Sequence, residues 1–317
     1  MSTIEHVDPE LRDALAFLPQ VPLTAETLVG YRADLQASLN AASIPDLPDI
    51  ATAEIHVESA FGAKPIRVLT YRPVRSDDAL PAFVHTHAGG FVMGSPEMKD
   101  VENRIFASEL NCAIYSVDYR LAPEAPYPAA LEDIYSVFVW LHANAGQLGL
   151  DPARIGIKGE SGGGGCAAAA ALYARDRAGP KFAFQQLIYP MIDDRSAVQK
   201  DLHPYVGEFF WTQANNYFAW RSLLGGEPGS PGVSPYAAAA RAADVSGLPP
   251  TYMSVGGLDL FLEENLTYAN RLSRAGVPVE LHLYPGAYHG FYRTANARVT
   301  RQAEHDTREA LRRFLHG

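Results

Sequence analysis

The stretch Arg154-Ile155-Gly156-Ile157-Lys158-Gly159-Glu160-Ser161-Gly162-Gly163-Gly164-Gly165-Cys166, followed by five alanines to Ala171, decides the fold. Residues 155–158 have the short apolar pattern of a buried strand, and residues 162–177 the small, alanine-rich pattern of a close-packed helix. Between them lies Gly159-Glu160-Ser161-Gly162-Gly163, a G-x-S-x-G match. A strand that turns abruptly into a helix pushes the central residue into strained geometry, and small neighbours relieve the crowding. The serine hydroxyl then stands above the sheet, near the positive end of the helix dipole. A glycine-rich phosphate loop is the rival, but the G-x-x-x-x-G-K-[ST] pattern is missing. Ser161 is therefore a candidate nucleophile.

A serine nucleophile needs a base, and the base needs an orienting acid. Around a turn of this kind the chain order is serine, acid, histidine. Asp259 follows an apolar segment, 252–257, that ends in two glycines. His289 lies in Pro285-Gly286-Ala287-Tyr288-His289-Gly290-Phe291, just after the strand expected at 279–284. Both fall where the carboxyl ends of strands meet loops, the usual place for a site on an open sheet. His203, His282, His305 and His316 compete with His289, and Asp193, Asp194, Glu263 and Glu264 with Asp259. Acyl transfer also needs donors aimed at a developing oxyanion. His87-Ala88-Gly89-Gly90-Phe91 follows the strand expected at 82–86, and its glycines admit close backbone approach. Gly89, Gly90 and Gly162, the residue after the serine, are the candidate donors. His87 reads as a histidine that fixes its own loop.

Working outward, strands are expected at 53–60, 66–72, 82–86, 113–117, 155–158, 184–189, 252–255 and 279–284. Helices are expected at 98–110, 129–145, 162–177, 263–275 and 299–315. The first two strands follow each other directly, which suits an antiparallel meander. The later alternation calls for a parallel sheet covered by helices on both faces. Residues 1–50 carry Leu11, Leu15 and Leu18, then Leu28, Tyr31, Leu35 and Leu39, at roughly helical spacing. Alanine runs at 166–171 and 237–240 both look helical. One stretch, about 193–235, interrupts the alternation with an aromatic helix pattern at 204–220 that carries Tyr205, Phe209, Phe210, Trp211, Tyr217, Phe218 and Trp220. An insertion that long is usually functional, and with the N-terminal helices it could roof the carboxyl edge.

Several of these segments together carry a resemblance. They are His87-Ala88-Gly89-Gly90-Phe91, Asp118-Tyr119-Arg120-Leu121-Ala122-Pro123-Glu124, Tyr127-Pro128-Ala129-Ala130-Leu131-Glu132-Asp133, the serine turn, Asp259 with its following acidic pair, and His289-Gly290-Phe291. In this order they resemble the hormone-sensitive-lipase-like esterases, from about residue 55 to the end. The resemblance implies an α/β-hydrolase fold, with a mostly parallel central sheet flanked by helices and a helical cap. It implies hydrolysis of carboxylic esters by Ser161, Asp259 and His289, with no metal or organic cofactor; the bulky rings of the insertion would bury short- to medium-chain acyl groups and obstruct long ones. A homodimer through the last strand and helix is also in keeping with it. The cap would comprise residues 1–50 and the insertion at about 193–235 over a hydrolase domain of 51–317, with Phe209, Phe210 and Trp211 facing the substrate. Ala88 stands where the family has its first glycine, Glu160 and Gly162 where aspartate and alanine are commonest, and Leu260 where proline is usual. Glu160 is expected to brace neighbouring loops, and Arg120 and Glu124 to tie loops beneath the site. Amide hydrolysis by the same residues and a ligand receptor on a hydrolase scaffold are the alternatives; the intact set of three counts against the receptor.

Composition narrows the partners. The chain has 317 residues, is 47% hydrophobic and carries a formal net charge of -10. Such acidity repels phosphate backbones and anionic membrane surfaces, so a small-molecule ester is expected rather than nucleic acid or membrane. The two cysteines, Cys112 and Cys166, lie in apolar runs and are expected as buried free thiols. The first residues lack a basic segment followed by an apolar core, and the expected location is cytoplasmic.

Overall fold

A computed structural model describes residues 2–18, 21–44, 47–76 and 78–317. Its centre is an eight-stranded sheet in the order β1-β2-β4-β3-β5-β6-β7-β8. The strands are β1 Ile50–Val57, β2 Ile66–Pro73, β3 Leu80–Thr86, β4 Ala113–Val117, β5 Leu150–Glu160, β6 Gln185–Ile188, β7 Thr251–Gly256 and β8 Val279–Tyr284. β2 runs antiparallel to both β1 and β4, the meander expected of two strands with no helix between them. From β4 through β3 and on to β8 every pairing is parallel. Every residue of β3, β4 and β7 is buried, whereas the edge strands β1 and β8 keep exposed positions. That contrast follows from parallel strands being covered on both faces.

The helices are α1 Leu28–Ala41, α2 Asp100–Glu109, α3 Ala129–Ala143, α4 Ala145–Leu148, α5 Gly162–Arg175, α6 Gln213–Leu224, α7 Leu262–Arg274 and α8 Arg298–His316. α3 and α5 share one hydrophobic core with Val84 and Ile157 of the sheet. On the opposite face, Phe106 of α2 and Leu311 and Leu315 of α8 pack with Phe83 and Ile114. α5 can press against the strand ends because its first turns are glycine. A Cβ on Gly163 would lie 2.2 Å from the Thr86 carbonyl oxygen, and one on Gly165 would lie 2.0 Å from that of Met191.

Three segments differ from their sequence expectation. Residues near the N-terminus form short 3-10 turns, Ile4–His6, Pro9–Leu11 and Asp13–Phe17, before α1 begins. Leucine spacing alone could not distinguish turns of three to five residues from a continuous helix. In the aromatic insertion, the helix starts only at Gln213, where the Thr212 hydroxyl caps it by accepting from the Asn215 amide at 3.3 Å. The preceding Phe210 has φ +60°, which no helix accommodates. The run at 237–240 is buried but holds only the start of a 3-10 turn, Ala239–Arg241. Alanine has the propensity for a helix there, but the segment is too short to nucleate one. No helix among the described residues is long and apolar enough to cross a membrane.

Candidate active site

Ser161 sits at the junction of β5 and α5 with φ 53° and ψ −121°, a strained conformation for a residue with a Cβ. Two bonds hold it there: its amide donates to the Ile188 carbonyl at 2.9 Å, and its carbonyl accepts from Met191 at 3.0 Å. Its Oγ lies 2.9 Å from His289 Nε2, and His289 Nδ1 lies 2.8 Å from Asp259 Oδ2. The second carboxylate oxygen, Oδ1, accepts from the Phe261 amide at 2.9 Å. Asp259 has no exposed surface, while Ser161 and His289 are 4% and 3% exposed. The three residues expected from sequence therefore meet in one hydrogen-bonded chain.

Four of the competing residues are engaged elsewhere. Glu264 Oε1 accepts from the Ile192 and Asp193 amides at 2.8 and 3.2 Å. Asp194 pairs with Arg241, and Asp193 with Arg195. His282 contacts Glu280 and Asp306.

Gly89 and Gly90 adopt φ +134° and +56°, which glycine reaches without a steric penalty. A Cβ on Gly162 would fall 2.8 Å from the Phe91 nitrogen and 2.9 Å from that of Gly90. The glycine loop and the first turn of α5 are thus in direct contact. Among the described residues, no protein group accepts from the amides of Gly89, Gly90 or Gly162. His87 behaves as the loop-fixing residue expected: its Nδ1 is 2.9 Å from the Ala88 carbonyl oxygen and its ring stacks on Tyr119 at 4.2 Å. Burial pulls its pKa down to about 4, so the ring is neutral. Arg120 grips both carboxylate oxygens of Asp133 and so ties the segment after β4 to helix α3 rather than to another loop. Glu124 instead bonds Arg32 of the N-terminal helix α1.

Of the three aromatic residues expected at the pocket, two lie beside the histidine. The Phe210 ring stacks on His289 at 6.2 Å, and Trp211 lies 6.1 Å from it. Trp211 also lies against Gly90, where a Cβ would sit 2.2 Å from its ring. Phe209 packs instead on Tyr288 at 5.9 Å. Two further rings, Tyr189 at 4.8 Å and Phe261 at 5.0 Å, complete the surround of His289. Sequence reading missed both. The available signal was their position just after β6 and β7, at the edge that supplies Asp259.

A parallel sheet whose strand-to-helix turn lifts a serine to meet an aspartate and a histidine from later strands defines a class of protein, the α/β-hydrolases. The chain belongs to that family: residues 83–293 match the family described as alpha/beta hydrolase fold. Esterase LipI of Mycobacterium tuberculosis is 33% identical over 98% of this chain and 96% of its own length. Carboxylesterase NlhH of the same organism is also 33% identical, over 98% and 97% of the two chains. A solved structure titled bacterial heroin esterase superposes with a TM-score of 0.91, at 36% identity and with 100% of both chains covered. These relatives are esterases, as the resemblance to the hormone-sensitive-lipase-like family implied.

Proposed function

We propose that this chain is a carboxylesterase that hydrolyses short- to medium-chain acyl esters through an acyl-enzyme on Ser161. The relay of 2.9 and 2.8 Å from Ser161 through His289 to Asp259 carries the proposal. In it, Ser161 Oγ attacks the ester carbonyl carbon while His289 Nε2 takes the hydroxyl proton. Asp259 holds the Nδ1–H tautomer and stabilises the imidazolium. The carbonyl oxygen becomes an oxyanion that accepts from the uncommitted amides of Gly89, Gly90 and Gly162. His289 returns its proton to the departing alcohol, and a water activated by the same nitrogen then releases the acid.

Residues 1–50 and the insertion at about 193–235 form the cap in this proposal. Their contacts support it: the Ser2 hydroxyl donates to Glu208 at 2.7 Å, the Thr3 hydroxyl to the same carboxylate at 2.6 Å, and the Leu23 amide to Asn215 at 2.9 Å. For assembly we favour a homodimer along β8, an edge strand on which Leu281 and Leu283 are 37% and 47% exposed. A cytoplasmic location suits the two buried free thiols, Cys112 and Cys166.

A fluorophosphonate label should attach to Ser161, and kcat/KM on p-nitrophenyl esters from acetate to palmitate should peak at about two to eight acyl carbons on a methylene scale of ~0.8 kcal/mol. An unlabelled serine, or an optimum at palmitate, would refute the proposal. Comparing an ester with the matching anilide separates it from amide hydrolysis.

A further inference from the structure

Beneath Ser161, on the face of the sheet covered by α2 and α8, lies a charged cluster that the acyl-transfer steps leave unused. Lys158 and Glu160 flank Gly159 on β5, so both side chains point to that one face. Each is 1% exposed. Glu160 pairs with Lys158 through one carboxylate oxygen, and its other oxygen lies 3.1 Å from His85 Nε2. His85 is fully buried, and its Nδ1 lies 2.7 Å from the Ser116 hydroxyl of β4. Lys158 also reaches Glu102 of α2 at 3.3 Å, and Glu102 pairs with Lys99. Two lysines thus balance two glutamates. Burying Lys158 and Glu160 is expensive in free energy, and apolar residues of similar volume often stabilise a core as well or better. Their retention calls for a reason other than stability.

The location supplies one. Glu160 is bonded directly to Ser161, and His85 lies on β3 just before the loop His87-Ala88-Gly89-Gly90. In the sheet register Thr86 faces Gly159 and His85 faces Lys158. The Glu160–His85 contact therefore crosses from the strand that ends in the serine to the strand that ends in the glycine loop. Because the carboxylate only accepts, the proton of this contact sits on His85 Nε2. On the opposite face of the sheet, the Thr86 hydroxyl donates to the Gly163 carbonyl at 2.8 Å. The two strand ends are tied on both sides.

We infer that Glu160 and His85 are positioning residues, whose bridge fixes the separation between Ser161–Gly162 and Gly89–Gly90 and so sets the geometry in which the oxyanion is bound. The inference rests on the acyl-enzyme proposal for Ser161. A carbonyl held between two strand ends is sensitive to their spacing, because small misplacements of donors weaken bonds made only in the transition state.

The test uses the full chain and four variants. His85→Phe fills the space but cannot bond, and it leaves Glu160 paired with Lys158. Glu160→Ala removes the bridge from the other side, Glu160→Gln keeps an acceptor for His85, and the fourth variant combines His85→Phe with Glu160→Ala. For His85→Phe and Glu160→Ala, kcat on p-nitrophenyl acetate should fall roughly 10- to 100-fold, with KM within about threefold of wild type. Affinity for a trifluoromethyl ketone, whose serine adduct places an oxyanion among the same amides, should fall by the same factor. Glu160→Gln should retain most of kcat, and the double variant should be no worse than the poorer single one. His85→Phe keeps the test decisive if Glu160→Ala does not fold. A wild-type kcat in His85→Phe, a loss confined to KM, or additive losses in the double variant would overturn the inference while leaving Ser161 as nucleophile. Failure of the wild-type chain to take a fluorophosphonate at Ser161 would overturn both.

Discussion

The carboxyl edge of the sheet and the aromatic wall above it meet at His289, yet they are built by different rules. At the edge, each candidate catalytic side chain is held by main-chain geometry. Ser161 is fixed by the β5–α5 turn, Asp259 by the loop after β7, and His289 by the loop after β8. In the wall, Phe210 and Trp211 are placed by side-chain packing and by a few bonds, such as Trp211 Nε1 to Asn216 at 3.3 Å. Geometry fixed by a sheet tolerates little change, whereas a packed wall can be remodelled. Substitutions at the edge should therefore abolish turnover, and substitutions in the wall should redirect it.

The largest effect should come from Ser161→Ala. Ester turnover should fall by roughly 10⁴–10⁶, as it does when members of such relays are removed elsewhere. His289→Ala should fall similarly, and combining the two should add little because they act as one unit. Steady-state kinetics on p-nitrophenyl acetate checks this; a Ser161→Ala variant retaining a tenth of wild-type activity would break the contrast at its strongest point. Asp259→Asn comes next, with a loss on the order of 10⁴ in kcat, since the amide would favour the wrong imidazole tautomer. Glu263→Gln is its control and should change little, because Glu263 is exposed on α7 while the His289 ring is bonded to Asp259.

Legibility in the sequence followed the same division. Glycine-rich turns after apolar strands are local signals, so Ser161, Asp259, His289 and the glycine loop could all be located from the chain alone. All eight strands were recognisable, although β1 begins at Ile50 rather than at 53 and β5 extends from Leu150 to Glu160. The wall was legible only as a density of rings. No spacing rule announces that Phe210, rather than Phe209, stacks on His289. The cluster around Glu160 was invisible for another reason. It joins β3, β5 and α2, and only the parallel register brings His85 opposite Lys158.

Wall substitutions should shift specificity rather than remove activity. Truncating Trp211 to alanine opens space beside Gly90, where the indole now lies. The acyl-chain optimum should move to longer esters by a few carbons, each newly buried methylene contributing about 0.8 kcal/mol, roughly fourfold in kcat/KM. Phe209→Ala should leave the profile in place, because that ring packs on Tyr288. A chain-length series on the two variants decides the point: equal profiles would mean that the wall packs only on itself.

The smallest effect concerns the joint between edge and wall. Glu264 on α7 receives the amides of Ile192 and Asp193, where the chain leaves the sheet for the insertion. Burial, aided by the nearby charge of Asp193, holds its pKa well above the ordinary 4.5. The folded state therefore keeps a proton that the unfolded chain releases once pH exceeds that ordinary value. Above it the unfolded state binds fewer protons, so this group's contribution to stability declines as pH rises. Glu264→Gln keeps an acceptor for both amides and has no proton to lose. Its urea midpoint should match wild type near pH 4 and exceed it progressively toward pH 8, while kcat and the chain-length profile stay unchanged. Parallel midpoints across that range would show that Glu264 ionises freely, and a shifted chain-length profile would show that the joint itself shapes the pocket.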